Sequence, residues 1–267
     1  MKYGSFLLLS LLLSACSLLG PVPVASTAVP GTTSPSTTTP TTATPTTLPS
    51  SSADVTPPSE HTKGWWSVRF AIDWPDKAEV SWYVDVYLAH KIIKPVLTQY
   101  QQEIELWRFH RRAARDAAGH QFSFIFYSEP AVAEAIYKAV RDDKQVQMVI
   151  DKGLVDKVSY QNTAVNSQPL VKDTSDPSWS LPIQKSWPYF IMGVSDMWLR
   201  LIDELVQQDI GKASFNDYDD VLSFYKEIGQ RLDNTWRDEG GHAFLHHLNA
   251  LFGYQETIVV ERRMVHF

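Results

Sequence analysis

The sequence predicts an α+β fold over residues 61–267. Three observations carry that expectation: short runs that alternate apolar and polar residues, longer runs with apolar residues three or four apart, and the order of the two kinds. Period two is the mark of a half-buried strand and period 3.6 that of an amphipathic helix. Read in order, residues 65–162 give strand, helix, strand, strand, helix, strand. That is the ferredoxin-like βαββαβ arrangement, with helices on one face of an antiparallel sheet. A mainly helical part follows at 187–267.

The first strand is 65–73, where Trp66, Val68, Phe70 and Ile72 alternate with Ser67, Arg69, Ala71 and Asp73. Trp82, Val86, Ala89, Ile93, Val96 and Tyr100 then mark a helix over 78–102, which Pro95 bends or divides. A second strand covers 106–112. A third is set by Phe122, Phe124 and Phe126 and pairs with it as a hairpin. Ser128-Glu129-Pro130 opens a helix to Asp142, with serine as N-cap and proline in the first turn. A short helix at 144–152 and a weaker strand at 157–162 complete the unit. Residues 163–186 read as a long connection. Beyond it, Met197, Leu201 and Leu205 mark one helix, and Leu222, Tyr225, Leu232 and Trp236 a second. A third helix runs over 241–252, and 257–260 is β-branched enough for a last strand.

The N-terminal part is of another kind. Met1-Lys2 is positive, Phe6 to Leu13 is apolar apart from Ser10, and Leu13-Ser14-Ala15-Cys16 ends the run in small residues. Residues 1–15 therefore read as a secretory signal. Its end resembles the lipobox of bacterial lipoproteins, in which the cysteine becomes the first residue and carries the lipid. Cys16 is the single cysteine of the chain. Ser17 follows it, and in lipoproteins a residue other than aspartate there favours the outer membrane where the cell has one. Residues 16–60 read as a lipid anchor and tether: Thr, Ser and Pro make up 28 of the 40 residues from 21 to 60, without Lys or Arg. Such a stretch buries too little apolar surface to offset its ordering entropy. As polyproline II it reaches on the order of 100 Å at full extension.

Composition excludes some classes of function. With 24 Lys+Arg against 30 Asp+Glu, the chain carries a formal charge of -6 and lacks the cationic surface that duplex binding uses, so nucleic acid is not an expected partner. One cysteine rules out an internal disulfide and a paired-cysteine zinc site. No Ser-His-Asp signature, Gly-rich phosphate loop or usable carboxylate pair stands out.

Two clusters of polar residues and one set of tryptophans are candidates for a site. Arg108, His110, Arg111 and Arg112, followed by His120, place forked cations on and near a strand; alternation puts Arg108, His110 and Arg112 on one face and Arg111 on the other. Guanidinium groups suit an anionic ligand, although the same charges also suit a solvated, edge-protecting strand face. His242 and His246 are four apart, so on a helix they share a face and suit a zinc ion. The glutamate that a zincin has after its first histidine is Ala243 here, and a third ligand has to come from Glu239 or a distant residue such as His266. Metal and cofactor are therefore not expected. Trp65-Trp66, Trp179 and Trp187 fall outside the main periods and suit a groove.

Trp107-Arg108-Phe109-His110-Arg111-Arg112, Gly119-His120-Gln121-Phe122-Ser123-Phe124 and His247-Leu248-Asn249-Ala250-Leu251-Phe252-Gly253 together resemble tracts of the C-terminal domain of lantibiotic dehydratases, the thiopeptide-type bacteriocin biosynthesis domain. That family eliminates glutamate from glutamylated peptides or closes peptide macrocycles. Arg111 and His120 match its motif, whereas Phe122, Phe124 and Ala250 stand where it has arginine. Loss of those cations removes charge stabilisation of a departing carboxylate. The resemblance thus implies a kept fold and a lost chemistry.

The expectation is a lipid-anchored protein of the bacterial cell or outer membrane, facing the periplasm or the exterior. Its tethered, non-catalytic domain binds a peptide or protein. The alternative is an exported enzyme, either a relative of the elimination and cyclisation domains or one using the histidine cluster. Cys16→Ala should move the protein from the membrane to the soluble fraction on cell fractionation; a variant that stays membrane-bound with an unprocessed mass shift would overturn the lipobox reading.

Overall fold

The computed structural model describes residues 62–254. The signal and lipidation segment, the tether, the 257–260 strand and His266 lie outside the described residues. The α+β expectation holds. A four-stranded sheet is built from β1 (Gly64–Ile72), β2 (Leu106–Ala113), β3 (His120–Ser128) and β4 (Val155–Tyr160), in the order β2-β3-β1-β4 with every neighbouring pair antiparallel. This is the split βαβ order predicted from the element sequence. β4 begins and ends two residues earlier than predicted, with a register shift between Ala71 and Ile72.

Period two sorts the central strands. Trp66, Val68, Phe70 and Ile72 of β1 and Phe122, Phe124 and Phe126 of β3 are buried on the face covered by helices. Tyr87, Ile92, Ile93, Ile136 and Tyr137 meet them there in one continuous core. Gly119, at φ +60, closes the β2–β3 turn in a conformation that costs glycine little. Asp116 Oδ1 fixes that turn by accepting from the amides of Ala118 and Gly119 at 3.0 and 3.2 Å.

The first helical run is divided close to Pro95, as expected, and is shorter than 78–102. It consists of α1 (Trp82–Tyr87), a π turn (Leu88–Ile93) and α2 (Lys94–Gln99). Proline has no N–H to donate back into the helix. The break sits in the π turn just before it, where Lys94 N–H reaches Ala89 O. α3 (Pro130–Asp142) is capped by Glu129 rather than Ser128, and α4 (Lys144–Asp151) by the Asp143 carboxylate, which accepts from Gln145 N–H.

The connection after β4 is shorter than 163–186 because α5 (Leu181–Ile210) begins six residues before the predicted 187. Its core face includes Ser195, Leu199, Ile202, Leu205 and Val206, so Leu205 of the expected stripe is buried while Met197 and Leu201 are not. α5 also covers the free edge of β2: Phe109 N–H donates to Ser195 Oγ at 3.1 Å, and that hydroxyl donates to Ile191 O at 2.8 Å. α6 (Tyr218–Gly240) buries Phe224, Tyr225, Ile228 and Leu232, but Trp236 is exposed. Gly240 and Gly241 do not start a new helix. The backbone continues through a π turn (Gly241–His246) into α7 (His247–Leu251).

Phe124 is fully buried and packs on Trp107, Phe109 and Phe126. Phe124→Ala should therefore destabilise the fold by about 3–5 kcal/mol, read from the midpoint of urea unfolding.

Candidate functional site

The sheet face away from the helices is polar and cationic. Register places Arg108 beside Ile125 and Ser67, and His110 beside Ser123 and Arg69. One end of this face is closed by residues 163–175. Trp65 Nε1 donates to Leu170 O and Val171 O at 3.1 and 3.0 Å, and Tyr127 Oη donates to Pro169 O at 2.7 Å. Trp65, Leu106 and Tyr127 form a second small core beneath this strap. Trp65 and Trp66 are thus structural, contrary to the groove expectation, whereas Trp179 and Trp187 do pair near the surface with ring centroids 5.5 Å apart.

Between strap and sheet lies a cleft of about 520 Å³, lined among others by Ser67, Arg69, Arg108, Gln168, Thr174 and Gln184. Arg108 Nε donates to Thr174 Oγ1 at 2.9 Å, and its guanidinium lies 5.1 Å from the Trp187 ring centroid. Burial lowers the Arg108 pKa to about 10. His110 is held below its usual value first by burial and then by Arg108, Arg112 and Arg69. Arg112 is on the same face but pairs with Asp116 at 2.6 Å.

The five predicted ligand residues therefore divide. Arg108, His110 and Arg112 belong to the open face; Arg111 and His120 turn to the helix side and meet at Asp85 of α1. Asp85 is fully buried, with Arg111 Nε donating to Oδ2 at 3.0 Å and His120 Nε2 3.2 Å from both carboxylate oxygens. Arg111 is held between the rings of Trp82 and Trp198, at 4.8 and 4.9 Å, and Trp82 stands edge-on to His120 at 4.9 Å. Asp85 Oδ1 and His120 Nδ1 are buried and make no hydrogen bond among the described residues. A lone carboxylate in the apolar run Trp82-Tyr83-Val84-Asp85-Val86-Tyr87 was the available signal for this cluster. The polar side of β1 was the signal for Arg69.

A further polar contact was not foreseen. The π turn carries His90, whose Nδ1 lies 2.6 Å from Tyr225 Oη of α6 and whose Nε2 lies 3.2 Å from Asp203 Oδ1 of α5. Lys94 also donates to Asp203. Burial lowers the His90 pKa, against the opposing pull of Asp203, and burial raises that of Tyr225. π turns interrupt α-helices mostly at places where side chains must be re-aimed. Here the turn ties the first helical run to both C-terminal helices.

His242 and His246 stack at a centroid distance of 5.2 Å, and His247 stands edge-on to both. Among the described residues no group of three or more His, Cys, Asp or Glu is arranged to hold a metal. The same segment lines an apolar groove of about 870 Å³ with Tyr189, Val194, Trp236 and Leu248. His242 has its ring neighbours in this segment, separate from the Arg111–Asp85–His120 cluster.

No protein-family profile matches the chain, and no curated protein sequence matches it. Among solved structures, the crystal structure of TsrL is weakly similar, at 14% identity and a TM-score of 0.35. The match covers 72% of this chain and spans half the length of that one. No helix among the described residues is long and apolar enough to cross a membrane.

Arg111→Met removes the strongest partner of a buried carboxylate. It should cost roughly 3 kcal/mol in urea unfolding, and much less in an Asp85→Asn background, because the charge left unpaired is then absent. For His90 the folded-state pKa lies below 6.5, so between that lowered value and 6.5 the unfolded chain binds more protons. Its contribution to stability is present above pH 6.5 and is lost as pH falls through the folded value. Melting temperature should therefore fall on acidification from pH 7.5 to 5, and His90→Gln should flatten that slope.

Proposed function

We propose that the protein is a lipid-anchored component of the bacterial cell envelope whose tethered domain binds a peptide or protein segment on the open face of its sheet. The observation that carries this reading is the cleft between that face and residues 163–175. At about 520 Å³ it lies within the range of ligand sites, which run from about 300 to 1,000 Å³. It is lined by guanidinium, carboxamide and hydroxyl groups, which match a peptide's own polar groups.

The lipobox at Cys16 and the Pro/Thr/Ser tether give the rest of the reading. Acylated Cys16 anchors the chain to the cell or outer membrane, and the tether gives the domain reach into the periplasm or the exterior. The net charge of -6 argues against nucleic acid as the ligand. The reading needs no cofactor. An exported enzyme related to the peptide-modifying domains has weaker support, since Arg111 and His120, the positions that match that motif, are engaged by Asp85 on the covered side of the sheet.

The test is to select binders of the full chain from a random ten-residue peptide library and to map the bound complex by hydrogen exchange. Protection of 106–112 and 163–175 is expected. Protection confined to other segments would overturn the assignment of the ligand site.

A further inference from the structure

The geometry points to a peptide carboxylate as the group that this cleft recognises, with Arg108 as its forked donor and Arg69 as the second cation. The inference rests on the peptide-binding reading above and adds the chemistry of the ligand.

Charge accounting comes first. The cleft contains three cations, Arg69, Arg108 and Lys172, and one carboxylate, Asp173. That carboxylate is already engaged: its Oδ2 accepts from Leu170 N–H at 2.9 Å, and its Oδ1 lies 3.5 Å from Lys172 Nζ. Lys172 and Asp173 thus neutralise each other within the strap. Arg108 and Arg69 have no carboxylate partner among the described residues, which leaves two positive charges facing one cavity.

The donors of Arg108 are also free. Guanidinium carries five N–H groups, and among the described residues only Nε makes a hydrogen bond, to Thr174. Thr174 and the Trp187 ring hold the group at the wall of the cleft, which leaves its two terminal nitrogens to take a ligand. A planar fork held in this way matches a carboxylate with two parallel bonds. Arg69 lies across β3 on the same face, two strand spacings or about 10 Å from β2. His110 lies on the same face, where burial first and then Arg108, Arg112 and Arg69 hold its pKa down.

The neutral groups decide between a peptide and a simple anion. Gln168 Nε2 donates to Asp173 O, and Gln184 Nε2 donates to Pro177 O and Trp179 O, so both carboxamides are fixed through their nitrogens. Their oxygens remain as acceptors at the cleft. A fully ionised phosphate ester offers these acceptors no donor, whereas the backbone amides on either side of a carboxylate-bearing residue do. Two sources supply that chemistry, an acidic side chain within a peptide or the carboxylate of its C-terminus.

The experiment uses the full chain and three seven-residue alanine-rich peptides, followed by NMR titration. One is capped at both ends with a central glutamate. One has no acidic side chain but a free C-terminal carboxylate. One is capped and neutral. At least one charged peptide should bind about tenfold to a hundredfold more tightly than the neutral one, the range expected for hydrogen bonds to a charged group. Which of the two does so identifies the source. Arg108→Gln and the exposed-site variant Arg69→Gln should each abolish that preference with an unchanged melting temperature, whereas Arg112→Gln, on the same face but paired with Asp116, should retain it. Equal binding of all three peptides, insensitive to Arg108→Gln and Arg69→Gln, would overturn the carboxylate inference and leave peptide binding standing. Displacement of the charged peptide by equimolar inorganic phosphate would also overturn it, and binding of none of the three would overturn both readings.

Discussion

Strict alternation along β1 and β3 is the constraint on which the rest of this molecule depends. Each successive side chain faces an opposite environment, so a slip of one residue would exchange Phe122, Phe124 and Phe126 with Gln121, Ser123 and Ile125. The burial of so many aromatic groups on one side makes that slip prohibitive. With the register held, the polar residues have no choice of face. Arg69, Arg108 and His110 share the open side because Trp66, Phe70, Phe109 and Phe122 share the other.

The two faces then treat charge in opposite ways. On the covered side, Asp85 is enclosed and is paired with Arg111 and His120, as a buried charge must be. On the open side, solvent supports cations that have no such partner, and the strap from 163 to 175 restricts rather than removes that solvent. Both arrangements come from a single strand, with Arg111 on the covered side and Arg108, unpaired among the described residues, on the open one. Arg111 and Arg112 differ by one position and occupy opposite sides of the sheet.

Much of this was legible in the sequence, and the failures share a cause. Strands with one buried face announce themselves by alternation, so β1, β2 and β3 were placed within about a residue, and their order was enough for the topology. β4 was misplaced by two residues because a register shift sits in its pairing. Helix limits failed where the hydrogen-bond register changes, at the π turn before Pro95 and again after Gly240. A pattern search at period 3.6 has no means of seeing a local period of another length. At the candidate site, alternation correctly separated Arg108, His110 and Arg112 from Arg111. His120 has the parity of Phe122, Phe124 and Phe126 and so the covered face, which grouping it with the β2 cations passed over. Alternation did not find Asp203, Tyr225 and Thr174, which come close to their partners only through chain folding across large sequence distances.

The π turn at Leu88–Ile93 has a consequence for how this fold tolerates change. A π turn holds one residue more than an α-helix of the same rise, so it acts as an insertion accommodated without a break in the rod. Deleting one residue within it would restore a continuous α-helix and leave the flanking segments in nearly the phase they have now, whereas a deletion from regular α-helix rotates one flank against the other by about 100°. Asp85 lies before the turn and Lys94 after it. The turn can therefore give up a residue and still keep Asp85 on Arg111 and Lys94 on Asp203, but His90, which it carries, would lose its aim at Tyr225 and Asp203.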